Sequence, residues 1–214
     1  MIELRSIDRD ETLRFLGNSK VKMNSETDRL LNICEKELLS AARPKFLYNT
    51  IDINEAGIIQ GESIKAHLKN CNKAVLLCAT LGSETDRLIR TAQVTDMAKA
   101  VVLDAMASSA VEKVCDEVES LIREEHPDEF LTWRFSPGYG DYPISLQGEF
   151  LRILDAPRRI GLCTNENSIL TPTKSVTAVI GVSKTPIESK RKGCASCSLK
   201  STCKFRKAGT RCEF

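Results

Sequence analysis

The segment from 133 to 143 contains residue types that could bind a small charged ligand. It is dense in glycine, proline and aromatic residues, a composition that predicts an ordered loop rather than a regular helix or strand. Pro137 fixes its own φ, whereas Gly138 and Gly140 can adopt positive φ and bring the backbone close to a ligand. Long ordered loops often carry function.

Three side chains in this loop could provide the recognition chemistry. Arg134 offers a planar fork of N–H donors that matches a carboxylate. Tyr139 and Tyr142 offer flat ring faces and hydroxyl groups. The loop therefore predicts a site for a small molecule with a carboxylate and an aromatic ring. The alternative is a well-packed turn that joins two helices.

Cysteines form a second group with possible chemistry. The chain has nine, and four of them crowd the last 21 residues with the spacing C-x2-C-x5-C-x8-C. Four thiolates could hold zinc or an iron–sulfur cluster, and the neighbouring Lys and Arg residues would favour the thiolate form. A thiol-rich tail without metal, or a labile disulfide, remains the alternative. The predicted ligands are Cys194, Cys197, Cys203 and Cys212.

The distribution of charge also separates the cysteine-rich tail from the rest of the chain. Residues 184–214 carry nine basic and two acidic residues, whereas residues 1–183 carry 22 basic and 27 acidic. The tail has no Trp or Tyr on which bases could stack, so we do not expect a nucleic-acid partner. We predict two units, a domain over 1–189 and a basic, cysteine-rich tail over 190–214.

Composition and the remaining cysteines indicate the cellular setting. No apolar run approaches the roughly 18 residues of a membrane helix, and the first residues lack the pattern of a secretory signal. An odd cysteine count in such a chain does not indicate a disulfide framework, so we expect the five other cysteines to be small buried hydrophobic residues. These features predict a cytoplasmic protein without a membrane partner.

The elements that must position the loop follow from hydrophobic periodicity. The longest predicted helix runs from 96 to 124, and a second begins near Ser25, the expected N-cap. Continuous or β-branched apolar runs predict strands at 45–53, 74–79 and 175–182. Helices and strands are intermixed without regular βαβ spacing, so the predicted class is α+β.

No rival catalytic set is evident. His67 lies in a helical stretch and His126 at a helix end, and no motif gives either of them a nucleophile partner. The sequence has no phosphate-binding G-x-x-x-x-G-K-[ST] loop and no G-x-G-x-x-G after a strand.

The loop also carries a resemblance. Arg134-Phe135-Ser136-Pro137-Gly138-Tyr139, followed by Pro143, resembles the Arg-x-x-Pro-Gly-Tyr signature of the activation domain of vitamin B12-dependent methionine synthase, in particular its stand-alone homologues. The resemblance covers residues 25–183 and implies an α+β fold with a mixed or antiparallel sheet and packed helices. Further similar segments are Ala79-Thr80-Leu81-Gly82, the long helix with Glu112, Gly161 with Glu166 and Pro172, and Ser175-Val176.

The resemblance implies binding of S-adenosylmethionine and reductive methylation, that is reactivation, of cob(II)alamin on a separate partner. That partner would be a cobalamin-dependent methionine synthase or another corrinoid protein, with flavodoxin or ferredoxin as the electron donor. Arg134 would bind the methionine carboxylate, the backbone of Ser136 and Gly138 would contact the adenosyl part, and Tyr139 would approach the corrin as the catalytic contact. The implied cofactor-binding set is Arg134, Ser136, Pro137, Gly138, Tyr139, Gly140 and Glu166.

The chain departs from the family at two places. Ser108 aligns with the family's ligand-binding helix glutamate, and Glu112 lies one turn later, so either could supply that role. Asn165 and Asn167 flank Glu166 in place of the family's Thr-Glu-Ser segment. Two other functions stay open: a non-catalytic module that binds a corrinoid protein, and a purely reductive activator that uses an iron–sulfur centre in the tail.

Overall fold

A four-stranded antiparallel sheet forms the centre of the computed structural model, which describes residues 2–17, 24–54 and 57–187. Its strands are β1 (Lys45–Asp52), β2 (Lys73–Thr80), β3 (Phe130–Leu131) and β6 (Ser175–Ser183), in the spatial order β1-β2-β6-β3. The two central strands pair over their length, from Lys73 with Val182 to Thr80 with Ser175. A separate hairpin joins β4 (Cys163–Thr164) and β5 (Leu170–Thr171).

Helices cover one face of the sheet. They are α1 (Arg9–Phe15), α2 (Ser25–Ala41), α4 (Ser83–Thr95) and α5 (Met97–Glu125). Val75, Leu77 and Ala79 of β2 belong to the core on this side, together with the buried face of α5. The apolar periodicity of α5 follows from this contact, because one stripe of the helix faces the sheet.

Shorter elements cover the opposite face. They are α3 (Glu62–His67), a 3-10 turn (Ile144–Leu146), α6 (Gln147–Ile153) and α7 (Ala156–Ile160). Ala74, Leu76 and Cys78 of β2 pack with Phe135 and Tyr142 in this second core. Both faces of β2 are therefore buried, which explains why its sequence is continuously apolar rather than alternating.

The predicted α+β class is confirmed, and every strand pair is antiparallel within the described ranges. Ser25 is not the N-cap of α2: Asn24 precedes the helix, and its side chain accepts a hydrogen bond from the Thr27 amide. Within the described ranges, no helix has the length and apolarity to cross a membrane.

The prediction about the body cysteines is correct for three of five. Cys34, Cys78 and Cys115 are buried, Cys71 is half-buried, and Cys163 on β4 is exposed. Cys163 lies at the exposed position of the two-residue strand β4, which pairs with β5. The predicted tail unit, 190–214, lies outside the described residues.

Candidate functional site

The loop that carries the motif is anchored to the sheet at its start. The Thr132 amide donates to the Gly181 carbonyl at 3.0 Å, and the Thr132 hydroxyl accepts from the Gly181 amide at 2.7 Å. Phe135 then exchanges two backbone hydrogen bonds with Val179, at 2.9 and 2.8 Å. The loop therefore continues β3 along β6, and this pairing fixes the position of Arg134 between the two anchor points.

The tip of the loop consists of tight turns. The Tyr139 amide donates to the Ser136 carbonyl at 3.1 Å, and the Gly138 amide donates to the Tyr142 carbonyl at 2.8 Å. Gly138 has φ +95°, a conformation that side-chain-bearing residues rarely adopt. Pro137 is buried, whereas Gly138 and Tyr139 are exposed. Pro137 therefore packs against the protein, whereas Gly138 and Tyr139 lie at the surface.

Arg134 points toward α5 and contacts three carboxylates there. Its Nη2 lies 3.1 Å from Glu112 and 2.7 Å from Asp116, and its Nη1 lies 3.0 Å from Glu119. The three acids occur at spacings of four and three residues, so they share one face of the helix. The Arg134 side chain is 18% exposed. Within the described ranges its Nε has no hydrogen-bond partner, which leaves donor capacity on the fork.

This cluster has more negative than positive charge. Arg123 also contacts Glu119, at 3.4 Å, so that acid is shared between two arginines. Glu112 and Asp116 form ion pairs only with Arg134 among the described residues. Three carboxylates therefore face two guanidinium groups, and the remaining negative charge favours a ligand that carries positive charge.

The pKa shifts agree with this geometry. Partial burial and the nearby Asp116 raise the pKa of Glu112, although the charge of Arg134 acts in the opposite direction. Burial alone would lower the pKa of Arg134. The negative charges of Asp116 and Glu112 outweigh this effect, so the pKa of Arg134 lies above its ordinary value. Burial and the negative charge of Glu112 raise the pKa of Tyr139, so the Tyr139 hydroxyl interacts electrostatically with the same cluster.

Tyr139 and Tyr142 have opposite environments. The Tyr139 side chain is 48% exposed and meets the Phe135 ring edge to face at 6.0 Å. Tyr142 is 1% exposed and packs against Phe135 at 6.2 Å. Its hydroxyl is the only buried side-chain oxygen or nitrogen in the described ranges that lacks a hydrogen-bond partner. Tyr139 is therefore accessible from the solvent, whereas Tyr142 holds the loop to the core.

Glu112, and not Ser108, is the helix residue that contacts Arg134. Ser108 lies one turn earlier, where its hydroxyl accepts a hydrogen bond from Lys174 Nζ at 3.0 Å. The same ammonium group pairs with Asp104 at 2.8 Å. Thus two cations from the sheet side, Lys174 and Arg134, rest on successive turns of α5.

Glu166 is not bonded to this cluster. It occupies the turn between β4 and β5, is exposed, and forms no hydrogen bond or ion pair with Arg134 or Tyr139. The turn itself is fixed by Asn165, whose side chain accepts from the Asn167 and Ile169 amides. A role for Glu166 in ligand binding therefore stays a prediction.

The predicted metal ligands Cys194, Cys197, Cys203 and Cys212 all lie outside the described residues. Within the ranges 2–17, 24–54 and 57–187, no group of three or more His, Cys, Asp or Glu side chains is arranged to hold a metal ion. The tail therefore stays the sole candidate metal site from the sequence.

Sequence reasoning missed Asp116 and Glu119. Their spacing from Glu112 gave a signal, because it places all three acids on one face of a helix that was predicted correctly. The spacing did not identify Arg134 as the partner of these acids, because that contact depends on how the loop returns across α5.

Comparison with known proteins supports the fold alone. No known protein family and no curated protein matches this chain. A solved structure described as "Crystal Structure of the MetH Reactivation Domain bound to AdoHcy" matches with a TM-score of 0.60 and 14% sequence identity, covering 95% of this chain and 82% of that chain. The protein therefore has a fold similar to that reactivation domain, as the sequence resemblance implied.

Proposed function

We propose that this protein binds S-adenosylmethionine and supports reductive methylation of cob(II)alamin on a separate cobalamin-dependent methionine synthase or related corrinoid methyltransferase. One observation carries the proposal: a loop with the Arg-x-x-Pro-Gly-Tyr pattern places Arg134 against the acids of α5 and leaves Tyr139 exposed. The similar fold of a reactivation domain that binds AdoHcy, the demethylated product of S-adenosylmethionine, supports it.

The charges of the cluster suit this ligand. S-adenosylmethionine carries a carboxylate, an ammonium and a sulfonium, so it has one net positive charge. In our proposal the Arg134 fork binds the carboxylate, and Glu112 and Asp116 attract the two cationic groups. AdoHcy has the same carboxylate but lacks the sulfonium charge, so it should bind more weakly.

The backbone of the turn would bind the adenosyl part. Gly138 and Gly140 are exposed, so a ring can reach their peptide groups from the solvent side. Tyr139 would contact the corrin of the partner, because its ring is half-exposed beside these glycines. The backbone of Ser136 would also contact the adenosyl part, and Pro137 would hold the turn in the required shape.

The chemistry requires no acid or base from this chain. An external donor such as flavodoxin or ferredoxin supplies one electron to cobalt, and S-adenosylmethionine then supplies the methyl group and leaves as AdoHcy. The residues of this protein bind S-adenosylmethionine and orient its sulfonium. The protein therefore acts as one component of a reaction whose cobalt is held elsewhere.

Titration calorimetry tests ligand binding directly. We expect saturable binding of S-adenosylmethionine at neutral pH, and weaker binding of AdoHcy. Adenosine, which lacks the amino-acid part, should bind far more weakly than either. Absence of S-adenosylmethionine binding would overturn the proposal and would favour a corrinoid-binding module without turnover.

For the tail we propose one zinc ion or one iron–sulfur cluster, bound by Cys194, Cys197 and Cys203 with Cys212. The support is the sequence spacing, together with the basic residues between the cysteines. Elemental analysis of anaerobically purified protein, compared with a chain truncated after Lys190, should find metal only in the full chain. A metal-free full chain would refute the site, and a cluster that reactivates the partner without S-adenosylmethionine would make this a purely reductive activator.

A further inference from the structure

A side chain outside the predicted ligand set ties the exposed arm of the loop to another element. The Asp141 carboxylate accepts hydrogen bonds from the backbone amides of Glu62, at 2.7 Å, and Ser63, at 2.8 Å. These amides open α3, so Asp141 caps a helix 78 residues away in sequence. The residue before α3 is Gly61, which has no side chain and so cannot cap the helix itself.

The backbone on both sides is shaped for this contact. Gly61 has φ +108°, and a Cβ on it would lie 2.7 Å from the Asp141 carbonyl oxygen. Gly140 has φ +57°, and a Cβ on it would collide with the Ser63 side chain. Two glycines therefore permit an approach that any larger residue would prevent.

The backbone bonds of this arm are mostly local. Among the described residues, the backbone hydrogen bonds of Gly138, Tyr139 and Tyr142 are made within the loop, to one another and to Ser136. The sheet anchor ends at Phe135, and the burial of Tyr142 fixes the far end. Between them, Asp141 links the exposed arm to α3, by its carboxylate at 2.7 and 2.8 Å and by its backbone amide, which donates to the Ser63 hydroxyl at a longer 3.5 Å.

We propose that Asp141 is a positioning residue, which fixes the loop so that Tyr139 and the turn backbone stay in register with Arg134. This inference rests on the proposed function for its effect on ligand binding, whereas its effect on the loop does not. The amide and hydroxyl of Ser63 and the amide of Glu62 also lower the pKa of Asp141 to about 2, which keeps the carboxylate charged over the whole physiological range. The clamp should therefore be independent of pH between 5 and 8.

The test compares Asp141→Ala with Asp96→Ala, which removes a carboxylate cap of the same kind from α5. Asp96 lies 16 residues before Glu112, about 24 Å along the helix, so it is remote from the cluster. Both variants should lose stability, because Asp141→Ala removes two capping hydrogen bonds and Asp96→Ala removes one. We expect only Asp141→Ala to weaken S-adenosylmethionine binding, by about tenfold. Asp141→Asn, which retains one acceptor oxygen, should restore part of the affinity.

Trp133 supplies a readout that needs no ligand. It is the one tryptophan of the chain, stands beside Arg134, and packs edge to face on His67 of α3 at 4.3 Å. We expect its emission to shift in Asp141→Ala and in Gly140→Ala, and to stay unchanged in Asp96→Ala. Wild-type affinity in Asp141→Ala, or unchanged Trp133 emission in that variant, would overturn the inference. If the wild-type protein bound no S-adenosylmethionine, the proposed function would fail, and the emission measurement alone would decide the role of Asp141.

Discussion

Replacement of Arg134 by alanine should separate the carboxylate contact from the charge of the cluster. Arg134 is 18% exposed and has an Nε donor without a partner in the described ranges, so a bound carboxylate would meet a largely desolvated fork. A charge-assisted contact of this kind contributes about 2–4 kcal/mol, which corresponds to roughly 30- to 800-fold in Kd. AdoHcy has the same carboxylate and should lose affinity by that full factor.

S-adenosylmethionine should lose less than AdoHcy in this variant. Loss of the guanidinium leaves Glu112 and Asp116 without their cation, and the stronger negative field favours the sulfonium. One uncompensated negative charge at about 6 Å from the sulfonium, in a partly exposed site, contributes roughly 1 kcal/mol to binding, or about fivefold in Kd. The ratio of the two Kd values should therefore rise in favour of S-adenosylmethionine.

Titration calorimetry of both ligands measures these changes. Arg87→Ala is a matched control, because Arg87 is a 75% exposed arginine that pairs with Glu84 on α4, away from the cluster. Arg134→Lys should recover part of the affinity, since it restores the charge without the planar fork. Unchanged binding of both ligands by Arg134→Ala would refute the carboxylate role.

Three further predictions concern single groups. Glu112→Gln should reduce S-adenosylmethionine affinity about fivefold more than AdoHcy affinity, since only S-adenosylmethionine has the sulfonium charge that Glu112 would attract; equal losses for both ligands in calorimetry would contradict this. Because partial burial raises the pKa of Glu112 above its ordinary value, S-adenosylmethionine affinity should fall as pH drops through that raised pKa, and Glu112→Gln should abolish this pH dependence in the same titration. Tyr142→Phe should leave stability unchanged or raise it by up to about 1 kcal/mol, because its buried hydroxyl lacks a partner; urea unfolding that shows a loss above 1 kcal/mol would reveal a missing bond.

The sequence was informative where periodicity is long and continuous. The stripe of α5 and the apolar run of β2 each extend over enough residues to identify the element, and both bury the residues that the pattern selects. Helix α1 was not predicted, because seven residues with one buried position give almost no periodic signal. Strand β3 has two residues and depends on pairing with β6, which local sequence does not encode.

The site was predictable in its loop and not in its partners. Gly, Pro and aromatic density identified the segment that contains Arg134, and Gly138 does adopt positive φ. The contacts that define the environment join distant residues: Arg134 meets Glu112 from 22 positions away, and Asp141 meets Ser63 from 78. Such pairs follow from the packing of the loop between α3 and α5, so only the folded chain reveals them.

The most direct measurement of the central claim is the visible spectrum of a corrinoid methyltransferase that lacks its own activation domain and is trapped as cob(II)alamin. We predict that methylcobalamin forms only when this protein, S-adenosylmethionine and a low-potential electron donor are all present, and that Tyr139→Ala slows its formation. Formation at the same rate without this protein would contradict the proposed function.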